Sequence, residues 1–290
     1  MAAGDVFGVY RCQEGRLIRQ SVEAHYVDAQ LCAPLSRAVM RRKGVEMSVP
    51  QSYLDRLSAG IAFRWPELPP RVLSAGEADP SAAVLQLRRE KKSHQGVGKL
   101  RALRTLLAYQ VDQSFLDELC ELTQLQTLYI EGLTASDLEG LARLSGLQRL
   151  VINGASRIEN LDWTAGLAPS LQALAVENAK KVCSIEPLAT LTGLKTLAVE
   201  GSLHSAMKVA SLNPLSALDG LEYLFLTALR VEDKRLAPLA KLAHLRVLEF
   251  ADYYAAGEID ALAASLPNTR CRWFDEDMKK HRWEYRQAKK

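Results

Sequence analysis

The feature that most constrains this chain is a spacing of leucines. In "LEGLARLSGLQRLVINGA", residues 138–155, leucine stands at 138, 141, 144, 147 and 150, and Ile152 follows. The step of three is held four times and then shortens to two. A helix alternates apolar steps of three and four, and a strand repeats every second residue. The step of two is a short strand whose alternate side chains point inward. The step of three suits a tight 3₁₀-like or extended turn, in which residues three apart stack on one side. A turn followed by so short a strand cannot cover its own leucines. It needs a copy of itself on either side.

The copies are present. "LRTLLAYQ" begins at Leu103, "LQTLYIEG" at Leu125, "LQRLVING" at Leu147 and "LQALAVEN" at Leu171. "LKTLAVEG" begins at Leu194, "LEYLFLTA" at Leu221 and "LRVLEFAD" at Leu245. Successive starts lie 22, 22, 24, 23, 27 and 24 residues apart. Weaker copies flank them, "AAVLQLRR" from Ala82 and "TRCRWFDE" from Thr269. Stacked units bury a continuous core, with a parallel strand ladder on one face and turns on the other. Each buried leucine stabilises by roughly 1.5–3 kcal/mol. Four or five per unit outweigh most of the ordering cost only when neighbours are in place.

With its L-x-x-L-x-apolar signature and its period in the twenties, the segment 82–275 resembles the leucine-rich-repeat family. Its continuous L-x-x-L-x-x-L spacing is most similar to the short repeats of internalins and phosphatase-regulatory subunits. The resemblance implies an α/β solenoid: a right-handed coil with a parallel strand ladder on its concave face and a compact convex side. One departure is plain. The family carries Asn or Cys eight residues after the first leucine, where it satisfies backbone groups of the turn. Here that place holds Val111, Leu133, Ala155, Ala179 and Ser202. The expected turn is therefore apolar and differently shaped.

Residues 1–81 lack the repeat and are expected to form a mixed α+β cap or accessory region. "VFGVYRCQEGRLIRQ" alternates around Gln13-Glu14-Gly15 and predicts a hairpin. "YVDAQLCAPLSRAVMRR", residues 26–42, and "PQSYLDRLSAGIAF", residues 50–63, read as helical. Residues 64–81, rich in Pro, Ala and Gly, read as a connector. Residues 276–290 form a basic C-terminal tail.

Charge and chemistry narrow the function. The whole chain carries +3, but unevenly. Residues 81–102 and 279–290 each carry +5, residues 1–80 carry +1, and residues 103–278 therefore carry −8. An acidic body argues against a nucleic-acid groove along the array. Only the basic ends, 88–101 and 279–290, support that class. The N-terminus lacks the basic start and apolar run of a secretory signal. No window approaches the 18 uncharged apolar residues of a membrane helix. Five widely spaced cysteines form no C-x-x-C pair, so neither a disulfide framework nor zinc is expected. Reduced thiols in a cytoplasmic protein are the simpler reading. The histidines show no ligand spacing. "HQGVGK", residues 94–99, lacks the phosphate-loop spacing. No catalytic residue, metal or other cofactor is expected.

Function then falls to the surface of the strands. The first, fourth and sixth places of each motif point inward, and the third, fifth and seventh point to the concave face. The fifth-place column runs Leu107, Tyr129, Val151, Ala175, Ala198, Phe225 and Glu249, with Trp273 if the weak copy counts. Beside it the third place includes Arg149 and Tyr223, and the seventh includes Glu131, Glu177 and Glu200. Exposed aromatics flanked by charge are the composition of a protein-binding surface. Length irregularities add "GSLHSAMKVASLNP", residues 201–214, and Tyr253 beside Tyr254. The expected molecule is a non-catalytic scaffold that binds a protein with a basic surface, of the kind a bacterial immunity or inhibitor protein would be. The alternative is an enzyme, or enzyme subunit, with its activity in residues 1–81.

Overall fold

The computed structural model describes residues 6–13, 16–23, 39–42, 45–202 and 205–280. It divides into two compact units, Met1–Val49 and Pro50–Lys290. In the first, β1 (Val6–Gln13) pairs antiparallel with β2 (Arg16–Glu23), and β3 (Val39–Arg42) pairs antiparallel with β4 (Val45–Ser48). Gln13 faces Arg16, as the hairpin reading requires. Val39–Arg42 corrects the expected helix over 26–42. Arg42 faces Val45 across the pair. Each strand opens on a valine, Val39 and Val45, whose branched Cβ favours a strand over a helix. Residues 26–38 of that expectation lie outside the described residues.

The second unit opens with α1 (Gln51–Ser58). The strands follow: β5 (Arg71–Val72), β6 (Val84–Arg88), β7 (Thr105–Tyr109), β8 (Thr127–Glu131), β9 (Arg149–Asn153), β10 (Ala173–Glu177) and β11 (Thr196–Glu200). After a short β12 (Met207–Val209) come β13 (Tyr223–Leu226), β14 (Leu229–Val231) and β15 (Val247–Phe250). Nine of them form one parallel sheet in sequence order, β5 to β11, then β13 and β15. The fourth-place leucines sit in register, Leu128 beside Leu150, then Leu174, Leu197, Leu224 and Leu248. All are fully buried in one continuous core. This is the α/β solenoid that the leucine spacing predicts.

The step of three becomes 3₁₀ turns on the convex side, at Glu139–Arg143, Asp162–Leu167, Glu186–Thr190, Asn213–Ala217 and Ala237–Lys241. Two true helices replace such turns. One is α2 (Gln113–Leu119), started by the Asp112 side chain accepting from the Phe115 N–H at 3.0 Å. The other is α3 (Ala256–Ser265), near the C-terminal end.

The missing Asn ladder has a main-chain substitute. The eighth place of five repeats is left-handed: Gln110, Gly132, Gly154, Asn178 and Ala228, with φ between 54° and 85°. That conformation suits Gly and Asn. It turns the N–H of Gln110, Gly132 and Asn178 onto the carbonyls of Glu131, Asn153 and Glu200 in the next repeat, at 2.8, 3.1 and 2.9 Å. With those groups satisfied, Val111, Leu133, Ala155 and Ala179 can be buried and apolar.

The longest interval builds a second ladder, β12 against β14. The array ends at a single bridge between Val247 and Arg270, after which Arg272–Phe274 form a 3₁₀ turn. The weak copy at Thr269 is therefore a cap rather than another strand.

Candidate protein-binding face

The third and fifth places line up on the concave face, as the strand alternation requires. Leu107, Tyr129, Val151, Ala175, Ala198 and Phe225 form a second apolar layer, separate from the leucine core. The expectation that this layer meets solvent is corrected. Tyr129 is 6% exposed, Phe225 0% and Glu200 4%. What covers them is the chain's own segment after Pro50, through Ala59 and Ile61, with Phe63, Trp65 and Leu68 packed alongside. An apolar strip of that length is costly to leave in water, and a nearby segment with matching residues removes the cost.

The segment is shaped for the task. α1 ends at Ser58, short of the Phe63 to which the helical reading extended. Gly60, at φ +75°, turns the chain, and the N–H groups of Ile61 and Ala62 both close onto the Arg56 carbonyl at 3.0 and 3.1 Å. A Cβ on Gly60 would meet Arg149 Cδ at 3.3 Å, so the turn passes close to the strands. The Ala59 carbonyl accepts from Thr196 Oγ1 at 2.8 Å. Beyond the turn, Ile61, Phe63 and Trp65 alternate as a strand does, although no strand forms.

One guanidinium anchors the middle of the face. Arg56 donates to both Glu200 oxygens, at 2.8 and 2.7 Å, and lies 3.6 Å from Glu177. Its guanidinium carbon stands 4.7 Å from the Phe225 ring centroid. Burial works against its charge, but Glu200, Glu177 and Glu249 together hold it above the ordinary arginine value. Thr227 also donates to Glu200. At the helix, the buried Asp55 accepts from Gln51 at 2.9 Å and from Arg270.

The acids around Arg56 are not fully compensated. Burial, then the charge of Glu200, pushes the half-buried Glu177 up to about 7, against the pull of Arg56. Burial likewise raises Glu249. Glu131 stands at the edge of the same face and accepts from the Tyr129 hydroxyl at 2.8 Å.

The other end of the face is aromatic. Phe63 and Trp65 meet Tyr129 edge-on, with centroids at 5.4 and 5.8 Å, and Tyr109 lies 6.0 Å from Tyr129. Tyr109 donates to Gln86 at 2.7 Å, and Gln86 donates to the Pro69 carbonyl at 2.6 Å. The segment's exit is thereby tied to the first strands.

The remaining expected residues are dispersed. Arg149 is exposed and donates to Thr127 at 2.9 Å. Tyr223 is half-buried on the concave face, with Arg246 over its ring at 5.7 Å. Tyr253 is exposed beneath Arg230, at 4.9 Å, whereas Tyr254 is in the leucine core. Trp273 is not in the fifth-place column. It packs on the leucine core and donates to the Phe250 carbonyl at 2.7 Å, because its segment forms a turn there. Sequence reasoning missed Arg56, Ala59, Ile61, Phe63 and Trp65. The alternation of the last three was the available signal.

Among the described residues, no group of three or more His, Cys, Asp or Glu could hold a metal ion, and no helix is long and apolar enough to cross a membrane. Burial pushes the thiols of Cys120 and Cys271 up to about 12, while Cys183 is exposed.

Among solved structures, a leucine-rich-repeat protein of Leptospira interrogans is 18% identical, with 66% of this chain and 49% of that one covered and a TM-score of 0.50. This chain thus spans about half the length of that protein. Internalin C2 of Listeria monocytogenes is 25% identical over 60% of this chain and 71% of that one, with a TM-score of 0.47. No protein-family model and no curated protein matches the chain significantly. The fold is that of the leucine-rich-repeat proteins.

Proposed function

We propose that this chain is a non-catalytic protein-binding scaffold whose concave face is the binding surface. The observation that carries the reading is the manner in which the face already holds a polypeptide. It grips Arg56 with a carboxylate pair and an aromatic ring, takes a backbone carbonyl on Thr196, and packs Phe63 and Trp65 against Tyr129. A surface able to hold a short helix and the turn after it has the parts to recognise one. Its acids favour a partner with a basic surface, as a cytoplasmic immunity or inhibitor protein facing a basic toxin would need. Cysteines that are widely spaced and form no C-x-x-C pair fit a reducing compartment.

The test is partner capture from the native host, followed by binding kinetics on the identified protein. Changing Glu131, Glu177 and Glu249 together to lysine should slow association and weaken its dependence on salt. Alanine changes on the convex 3₁₀ turns should do neither. If the convex changes abolish binding and the lysine variant leaves it intact, the concave reading fails.

A further inference from the structure

Residues 50–68 are held to the concave face by the side chains of one short helix and the turn after it. α1 has eight residues, shorter than a helix that persists alone in water. Gln51, Ser52, Leu54 and Ser58 are exposed, and of the segment's apolar side chains only Ala59 and Ile61 are buried. Its polar anchors are Arg56 on Glu200 and Glu177, Asp55 with Arg270, the Ala59 carbonyl on Thr196 and, at the exit, the Pro69 carbonyl on Gln86. Such a segment opens locally at far lower cost than the strands beneath it.

It also matches the face incompletely in charge. Four acids, Glu177, Glu200, Glu249 and the segment's own Asp55, share two guanidinium groups, Arg56 among the first three and Arg270 on Asp55 and near Glu249. Burial first, and then the charge of Glu200, leaves Glu177 and Glu249 as carboxylates that resist ionisation. A ligand with a second positive charge would relieve them.

The geometry points to residues 50–68 as a resident, displaceable occupant, and to a partner segment that replaces it: a short helix with an arginine in the place of Arg56 and a second basic side chain one turn earlier on the same face. This rests on the concave face being the binding surface. Position 52 marks where the second charge belongs, four residues before Arg56 and exposed in this chain.

The experiment inserts a specific protease sequence between Pro69 and Pro70 of the full chain and cuts after folding. The probes are fluorescent peptides with the sequence of residues 50–68, native or carrying Ser52→Arg. The cut N-terminal piece is expected to leave on dilution, and the native peptide to bind the remaining body saturably. The Ser52→Arg peptide should bind roughly threefold tighter at low salt, an advantage that salt removes. Glu200→Gln should weaken both peptides. On the uncut chain, the Ile61 and Ala62 amides should exchange at least roughly a hundredfold faster than the amides of β9 to β11.

Equal exchange in the uncut chain overturns the proposal, since the segment is then a permanent layer of the fold. So does a cut piece that never leaves, or a Ser52→Arg peptide that binds no better than the native one. A body that dimerises by taking the segment of a second copy also overturns it, because the occupant is then this chain itself. None of these outcomes decides the broader binding reading. The lysine variant at Glu131, Glu177 and Glu249 tests that separately, on a captured partner.

Discussion

At the scale of single residues, two side chains in neighbouring strands show how place in the repeat decides role. Leu150 occupies the fourth place of its motif and has no exposed surface. A carboxylate there would have no partner, so Leu150→Asp should cost roughly 4 kcal/mol or more. Urea denaturation checks this, and a variant that unfolds with the parent would show the inward assignment to be wrong. Glu177 occupies the seventh place and faces Arg56. Its folded-state value of about 7 lies above the 4.5 of a free carboxyl, so the folded chain binds that proton more tightly than the unfolded one. Its contribution to stability is complete below about 4.5 and is lost as pH rises through about 7. The expected result is a fall in the urea midpoint across that window, in the same direction as the contribution of Glu249. Glu177→Gln should flatten it. A parent with constant stability there would contradict the burial of that carboxyl.

At the scale of the repeat, backbone conformation does the work that side chains do in the consensus. The leucines at the first and fourth places were legible as a ladder, because a strand of five residues can be read from alternation alone. The left-handed eighth place was not, since Gln110, Gly132, Gly154, Asn178 and Ala228 share no side-chain type. What they share is a left-handed φ, which at Gln110, Gly132 and Asn178 lets the main-chain N–H reach the next repeat. Gly154→Ala should cost about 1 kcal/mol from that φ alone, because a Cβ there would find its nearest atoms at an ordinary 3.5 Å. Gly201→Ala should cost more. Its Cβ would fall on backbone from both sides, Met207 N at 2.7 Å among it, where β12 and β14 pair. Paired thermal melts of the two variants separate a conformational cost from a steric one. Equal losses would remove the distinction.

At the scale of the whole molecule, a solenoid is stabilised by neighbours, and its ends are its weak points. The C-terminal end is closed by Trp273 on the leucine core and by its bond to the Phe250 carbonyl. Trp273→Ala should cost roughly 3 kcal/mol, at the low end for a tryptophan because the ring is half-buried. Hydrogen exchange should then quicken first in β15 and β13, leaving β7 to β9 slow. Uniform acceleration would mean that the array opens as one unit rather than from its end.

The sequence by itself determined the solenoid, the inward leucines, the outward columns and the 3₁₀ character of the turns. Each follows from spacing within some 24 residues, and the same spacing recurs seven times. Only the tertiary structure decided what lies over the concave face. Arg56 and Glu200 are 144 residues apart, and Ala59 and Thr196 are 137 apart. No local period couples positions at such separations. The sequence displayed an aromatic and acidic strip that water would not leave bare, and it displayed Ile61, Phe63 and Trp65 without a strand to belong to. That the second covers the first depends on the turn at Gly60 and on the course of the chain through Pro69. Both are fixed by packing against the assembled strands, which do not exist until the repeats have stacked.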